Sequence, residues 1–307
     1  MLTATAARSG SMFFVAYILF HVYIPLYGQR NEVLADTSAA DRRCLTYTMA
    51  GLGAGIAGSL YLLDRAWYAD HERSSLHTFD DSGEWLQVDK AGHFFSAYTL
   101  GGWGYALLDR CGTDDRLSIW LGGGLGLIYL TGVEVLDGTS VGWGFSWTDM
   151  AANVAGTGFF IGQQLLWDEQ RIRVKFSAHL TEFAQRRPEL LGEGLAERIL
   201  KDYNGQTIWI SGDLNRLFGL ELPPWLCIAG GYGATGMVSA HPPEPLLNVF
   251  SYERRRQFYL SPDIDLTRIR TNSRFLRTTF FILNSVKFPA PALEYSKGRI
   301  RGHWIYF

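Results

Sequence analysis

Charge is what this chain is short of. Asp, Glu, Lys and Arg make up 19% of its 307 residues, against roughly 25% in an ordinary globular protein. The two signs nearly cancel, 30 acidic against 28 basic. No basic field exists to draw nucleic acid, which is therefore excluded as a partner. Cysteine is scarcer still. Cys44, Cys111 and Cys227 are odd in number, far apart and without C-x-x-C spacing, which argues against a disulfide framework or a cysteine zinc site; even one incidental disulfide is the less expected outcome. A phosphate-binding glycine loop, an HExxH zinc motif, a nucleophile motif, internal repeats and low-complexity tracts are missing as well. What is plentiful is apolar and small: 47% hydrophobic, 14% aromatic with 10 Trp, and 34 Gly. This richness excludes disorder over most of the chain and is common where helices pack closely in or near a bilayer. A mean hydropathy of −0.01 is too low for a chain embedded throughout, so an apolar part joined to a polar part is expected.

Residues 12–27 read MFFVAYILFHVYIPLY after Arg8 and Ser9 and before Gly28. This is the pattern of a secretory signal, with an uncleaved anchor helix as the rival reading. No cysteine follows closely enough for bacterial lipidation there. Residues 29–44 are expected to be a linker. Four apolar segments follow at 45–63, 91–108, 117–133 and 150–167. Each is near the lower limit for crossing a bilayer, and each carries glycines at the spacing that lets helix backbones touch. The expected fold is mainly α: a membrane-embedded or membrane-associated, Gly-rich four-helix bundle over 45–167. Beyond it, 168–307 is expected to be a mixed α/β region with short antiparallel strands, marked off by Asn204-Gly205, Pro223-Pro224 and Pro242-Pro243. Residues 273–286 predict a basic amphipathic helix.

Polar groups stand at the edges of the apolar segments. Asp89-Lys90-x-x-His93 opens the second, with Asp89 and His93 on one helix face. Glu134 and Asp137 close the third. Trp143-Gly144-Phe145-Ser146-Trp147 leads to Asp149 and Asn153, which open the fourth. In an up-and-down bundle these three places lie at one end. An imidazole and carboxylates at membrane depth are functional candidates. His93, Asp89, Glu134, Asp137 and Asp149 are the candidate catalytic groups, with His93 as general base beside Glu134 or Asp137, or as one ligand of a divalent metal ion. Lys90, Asn153, Trp143 and Trp147 are candidate substrate contacts. The alternative is a structural network, in which Asp149 is a helix-start residue and Lys90 neutralises Glu134. His71, His77 and His179 are expected to be solvated.

The pattern Asp89-Lys90-x-x-His93-Phe94, Glu134-x-x-Asp137, Phe145-Ser146-Trp147-x-Asp149-x-x-x-Asn153-x-Ala155-Gly156 resembles the YfiM-type family, a domain of unknown function labelled as predicted periplasmic lipoproteins. The residue order is also similar to the VanZ-like membrane family, linked to glycopeptide-antibiotic tolerance. Tyr203–Thr207 and Pro262–Leu266 resemble the longer members found in Bacteroidetes-type bacteria. The resemblance implies a bacterial cell-envelope location and supplies no reaction. Arg42, Arg43, Arg110, Arg116, Arg171, Arg173 and Lys175 flank the apolar segments so that the positive-inside rule conflicts with either N-terminal reading. The outer membrane or periplasm, where that rule has no force, is therefore slightly favoured over the inner membrane. Two functions are expected from the whole: action on, or binding of, a lipid or lipid-linked envelope substrate through the His/carboxylate pocket, or a non-enzymatic scaffold or accessory role with an outer-membrane protein partner.

Overall fold

In the computed structural model the described residues are 39–68, 71–242 and 252–307. The expected signal or anchor at 1–28 and most of the linker lie outside them. Each of the four apolar segments falls on a helix: α1 (Ala39–Leu63), α2 (Val88–Arg110), α3 (Leu125–Gly138) and α4 (Trp147–Trp167). A π-helical turn, Asp64–Tyr68, extends α1, and helical turns from Asp115 lead into α3. Glycine does part of what its spacing suggests. A side chain at Gly101 or Gly104 of α2 would collide with the carbonyls of Gly123 and Gly122, and one at Gly126 would collide with the backbone of Ala97. The two backbones therefore run in direct contact, a packing that only a missing Cβ allows. Gly53, Gly58, Gly158 and Gly162 face open space and contribute nothing of the kind.

The helices bear out less than the four membrane-embedded segments expected. Among the described residues only Asp115–Gly138 is long and apolar enough to cross a membrane, with 33% of its apolar window buried, and the helices do not form a clear four-helix bundle. The reason is dilution. Asp89, Lys90 and His93 begin α2, Gln163 and Gln164 sit within α4, and hydroxyls interrupt α1. A correction concerns cysteine. Cys44 in α1 and Cys111 just after α2 form a disulfide across 67 residues of sequence. Spacing rules detect cysteines close in sequence, whereas this pair meets because helices return in space. Cys227 is free and buried.

The chain divides into two compact units. The first comprises the chain up to Asp80, Ser96–Asp168 and Asn272–Thr278; the second comprises Asp81–Phe95, Glu169–Thr271 and Thr279–Phe307. The second unit is built on one open six-stranded antiparallel sheet whose spatial order follows the sequence: β1 (Ile172–Ala178), β2 (Gln206–Asp213), β3 (Leu226–Thr235), β4 (Arg255–Ile264), β5 (Ala290–Ser296) and β6 (Arg299–Tyr306). Strand-like signals are present in the sequence, but this single continuous meander is larger than the short strands expected. The helix expected at 273–286 is α5 (Arg274–Leu283).

The faces of this sheet are reversed from those of a water-soluble protein. One cross-strand row reads Lys175, Trp209, Gly231, Tyr259, Glu294, Arg301. Its inner members Lys175, Trp209, Tyr259 and Glu294 are buried, and the polar ones bond to neighbours outside the row. Lys175, fully buried, reaches Asp263 Oδ2 at 2.8 Å, and Ser211 donates to the same carboxylate at 2.6 Å. Trp209 Nε1 donates to Ser177 at 2.8 Å. Glu294 accepts from Gln257 at 3.0 Å and contacts His303 at 2.8 Å. Thr207 on β2 meets Tyr306 on β6 at 3.0 Å, and Lys175 on β1 meets β4, so the sheet curls around this polar face. A smaller apolar core packs Trp85, Val88, Phe183, Leu191 and Met237 together.

Three stability measurements follow from the helix contacts. Gly104→Ala, which drives a methyl into backbone, is expected to lower stability by about 1–3 kcal/mol, while Gly158→Ala on an open face raises it by up to about 1 kcal/mol. Replacing Cys44 and Cys111 together by Ser is expected to cost about 2–4 kcal/mol. Thermal unfolding of detergent-solubilised protein without reductant reads all three.

Candidate functional site

The start of α2 is set by an unusual turn. Trp85, Leu86 and Gln87 all have positive φ, at 45°, 51° and 63°, a left-handed conformation that costs a non-glycine residue energy at each step. Tertiary contacts hold it. Trp85 is packed in the apolar core, the Tyr232 hydroxyl donates to the Leu86 carbonyl, and the Arg256 guanidinium donates to the Gln87 side chain. One residue beyond Val88, the Tyr203 hydroxyl donates to Asp89 Oδ1 at 2.5 Å. Lys90 lies 3.1 Å from the other oxygen of Asp89 and 2.5 Å from buried Asp81. His93 follows on the face of α2 that carries Asp89, half-buried. Neither the turn nor the partners Tyr203 and Asp81 were identified from the sequence; the run Trp85-Leu86-Gln87 carries no glycine to signal positive φ.

The helical unit gathers the remaining carboxylates. Glu134, near the end of α3 and only 1% exposed, accepts a hydrogen bond from the backbone N–H of Ser146 at 3.0 Å. Ser146 is the N-cap of α4, its hydroxyl accepting from the Asp149 N–H at 3.0 Å. Glu134, Ser146 and Asp149 thus form one buried chain of contacts that starts α4 and ties it to α3. Asp149 in the first turn of α4 also complements the helix dipole. Asn153 is fully buried one turn further on. Asp137 accepts from the Tyr68 hydroxyl at 2.6 Å; burial, then the adjacent Asp137 charge, push that phenol well above its usual range. Trp143 packs edge-on against Tyr68 and His71, with ring centroids 5.4 and 4.5 Å away. Trp147 is exposed and touches Phe145. Backbone pairing of residues 74–79 with 138–145 fixes the loop between them, with His77 N–H to the Gly138 carbonyl at 2.9 Å and Phe145 N–H to the His77 carbonyl at 2.9 Å. Of the remaining histidines, His71 and His179 are exposed and His77 is half-buried.

Asp89 and His93, one turn apart on one face of α2, offer a carboxylate oxygen and an imidazole nitrogen, donors suited to a divalent metal ion. Tyr203 and Lys90 on Asp89 are the type of supporting contact that orients a ligand carboxylate.

Residues 78–163 match the model of a family described as "Predicted periplasmic lipoprotein (DUF2279)". The match covers less than a third of the chain and contains Asp89, His93, Glu134, Asp137, Asp149 and Asn153. It places the protein in the cell envelope, at the periplasm and its membranes. No curated protein and no solved structure matches the chain.

The cap makes a test of local structure. Ser146→Ala removes the acceptor for the Asp149 N–H and is expected to cost about 0.5–2 kcal/mol. Tyr68→Phe removes a hydroxyl donor from the half-buried carboxylate of Asp137 and is expected to cost about 1–3 kcal/mol. Both are read by thermal unfolding.

Proposed function

We propose that this envelope protein binds a divalent cation through His93 and Asp89 at the start of α2, and uses it at the head group of a lipid or lipid-linked envelope substrate. The observation that carries the reading is the state of Asp89. One helical turn from His93, it is already oriented by Tyr203 and Lys90, at a residue that a strained turn holds in position. Such investment suits a ligand or a proton-handling group better than a surface carboxylate. In this proposal Glu134, Asp149 and Asn153 order the start of α4 within the helical unit, and Asp137 is set by Tyr68. Lys90 holds Asp89, and in the helical unit Trp147 offers an exposed ring; Trp143 is kept as a substrate contact only on its place beside Trp147 in the sequence. The membrane-embedded character of the helical part and the VanZ-like resemblance belong to the same proposal and rest on segment composition and on residue order. A second reading, a non-enzymatic scaffold of an outer-membrane assembly, is favoured by the Glu134–Ser146–Asp149 contacts, which join α3 to α4 whether or not anything binds.

Calorimetric titration of the purified full chain with Zn²⁺ and with Mn²⁺ separates the two. The cation reading expects about one ion per chain, weaker binding as pH falls because ligands must lose protons, and a loss of about 10–100-fold in affinity for His93→Ala. Titrations with neither ion binding, or binding unchanged in His93→Ala, leave the scaffold reading.

A further inference from the structure

The reversed sheet has an outward face as ordered as its inward one. The row beside the buried Lys175–Glu294 row reads Phe176, Ile208, Tyr232, Phe258, Tyr295, Ile300 across all six strands. On the other side of it, Ile210, Gly230, Leu260, Leu293 and Gly302 form the next outward row. At the β1 end this face is covered: Phe176 stacks on Phe95 and Ile208 is buried. From β3 to β6 it is open, with Phe258 at 48%, Leu260 at 50%, Leu293 at 54% and Trp304 at 91% exposure. A groove of about 640 Å³ runs along it, walled by Leu226, Ile228, Leu260, Leu293 and Trp304. A contiguous apolar face of this kind is not left to water.

The margins of the face say what covers it. The end where β4 begins and the β5–β6 turn lies carries exposed Arg256, Lys297, Arg299 and Arg301, with Lys297 paired to Glu253 and Arg301 opposite Glu294 in register. At the opposite end stand two exposed indoles, Trp225 and Trp304. An apolar band between a basic edge and an aromatic edge, backed by buried charges, is the distribution a lipid leaflet selects. The band meets acyl chains, arginine meets anionic head groups, and Trp lies where the two meet water. A protein partner or second copy would call for no such graded margin.

We propose that the outward face of β3–β6 is immersed in the acyl region of a membrane containing anionic lipid, with the Arg255–Arg256 and Lys297–Arg301 end at its head groups. The face lies wholly within the second unit, and the inference is independent of the cation proposal.

Nitroxide labels on Phe258→Cys and Leu293→Cys, in full chain reconstituted into phosphatidylethanolamine/phosphatidylglycerol vesicles, test this directly. The expected result is high accessibility to oxygen and exclusion of a water-soluble nickel relaxant at both positions. Accessibility to the nickel reagent places the face in water, and shielding from both reagents places it against protein; either overturns the proposal. Both label sites are exposed, so the substitutions spare the core, and repeating the measurement in His93→Ala keeps the outcome separate from cation binding. As a second measure, Lys297→Gln with Arg299→Gln is expected to weaken vesicle flotation about tenfold on anionic vesicles and little on phosphatidylcholine. Equal flotation of variant and parent on anionic vesicles would refute the basic-edge assignment.

Discussion

An ion taken out of water costs several kcal/mol unless a partner comes with it, and this chain buries ions in both of its units. That constraint governs where its elements can sit. In the sheet, Lys175 and Asp263 are buried together, with Ser211 donating to Asp263 and the Ile264 carbonyl accepting from Lys175. Strands β1, β2 and β4 must therefore curl until these groups meet. In the helical unit, Glu134 is held by the N–H of Ser146, at the residue that also caps α4. The loop between α3 and α4 is fixed by a charge that needs a donor, and the direction of α4 follows from it.

The same constraint explains why the two units solve different problems. Helices satisfy their own backbone groups, so the helical unit can concentrate on close approach, and it does so where Gly101, Gly104, Gly122, Gly123 and Gly126 bring α2 and α3 backbone to backbone. A sheet must divide its side chains between two faces. Here the polar ones take the concave face, where they can bond across to distant strands, and the apolar ones are turned outward. The Asp89 region adds a third device. Three left-handed residues in a row are tolerated because Trp85, Tyr232 and Arg256 hold them, and the outcome is a carboxylate and an imidazole presented on one helix face.

Much of this was legible in the sequence. Apolar runs longer than fifteen residues bounded by polar ones predict helices, and all four are there, because hydrophobic length is a local property. The Ser146-x-x-Asp149 spacing marks the start of α4 for the same reason. The pairs Asp89 with His93 and Asp149 with Asn153 share helix faces by periodicity alone. Strand alternation in 255–264 is equally visible, since every second residue from Arg256 to Ile264 is exposed.

What stayed hidden depends on contacts between residues far apart in sequence. The Cys44–Cys111 disulfide joins positions 67 residues apart, and Tyr68 finds Asp137, Tyr203 finds Asp89 and Lys175 finds Asp263 over comparable or longer separations. Alternation tells which residues share a face of a strand, but not which face is inside. Hydrophobicity by itself would have put Phe258, Leu260 and Leu293 in a core and Lys175 and Glu294 in water. Only the curl of the sheet reversed that choice, because it lets charges on one face meet partners on distant strands, as Lys175 on β1 meets Asp263 on β4. The sequence by itself determined the helices, their caps and the strand periodicity; the tertiary structure decided the partners of each buried charge and, through them, which side of the sheet faces out.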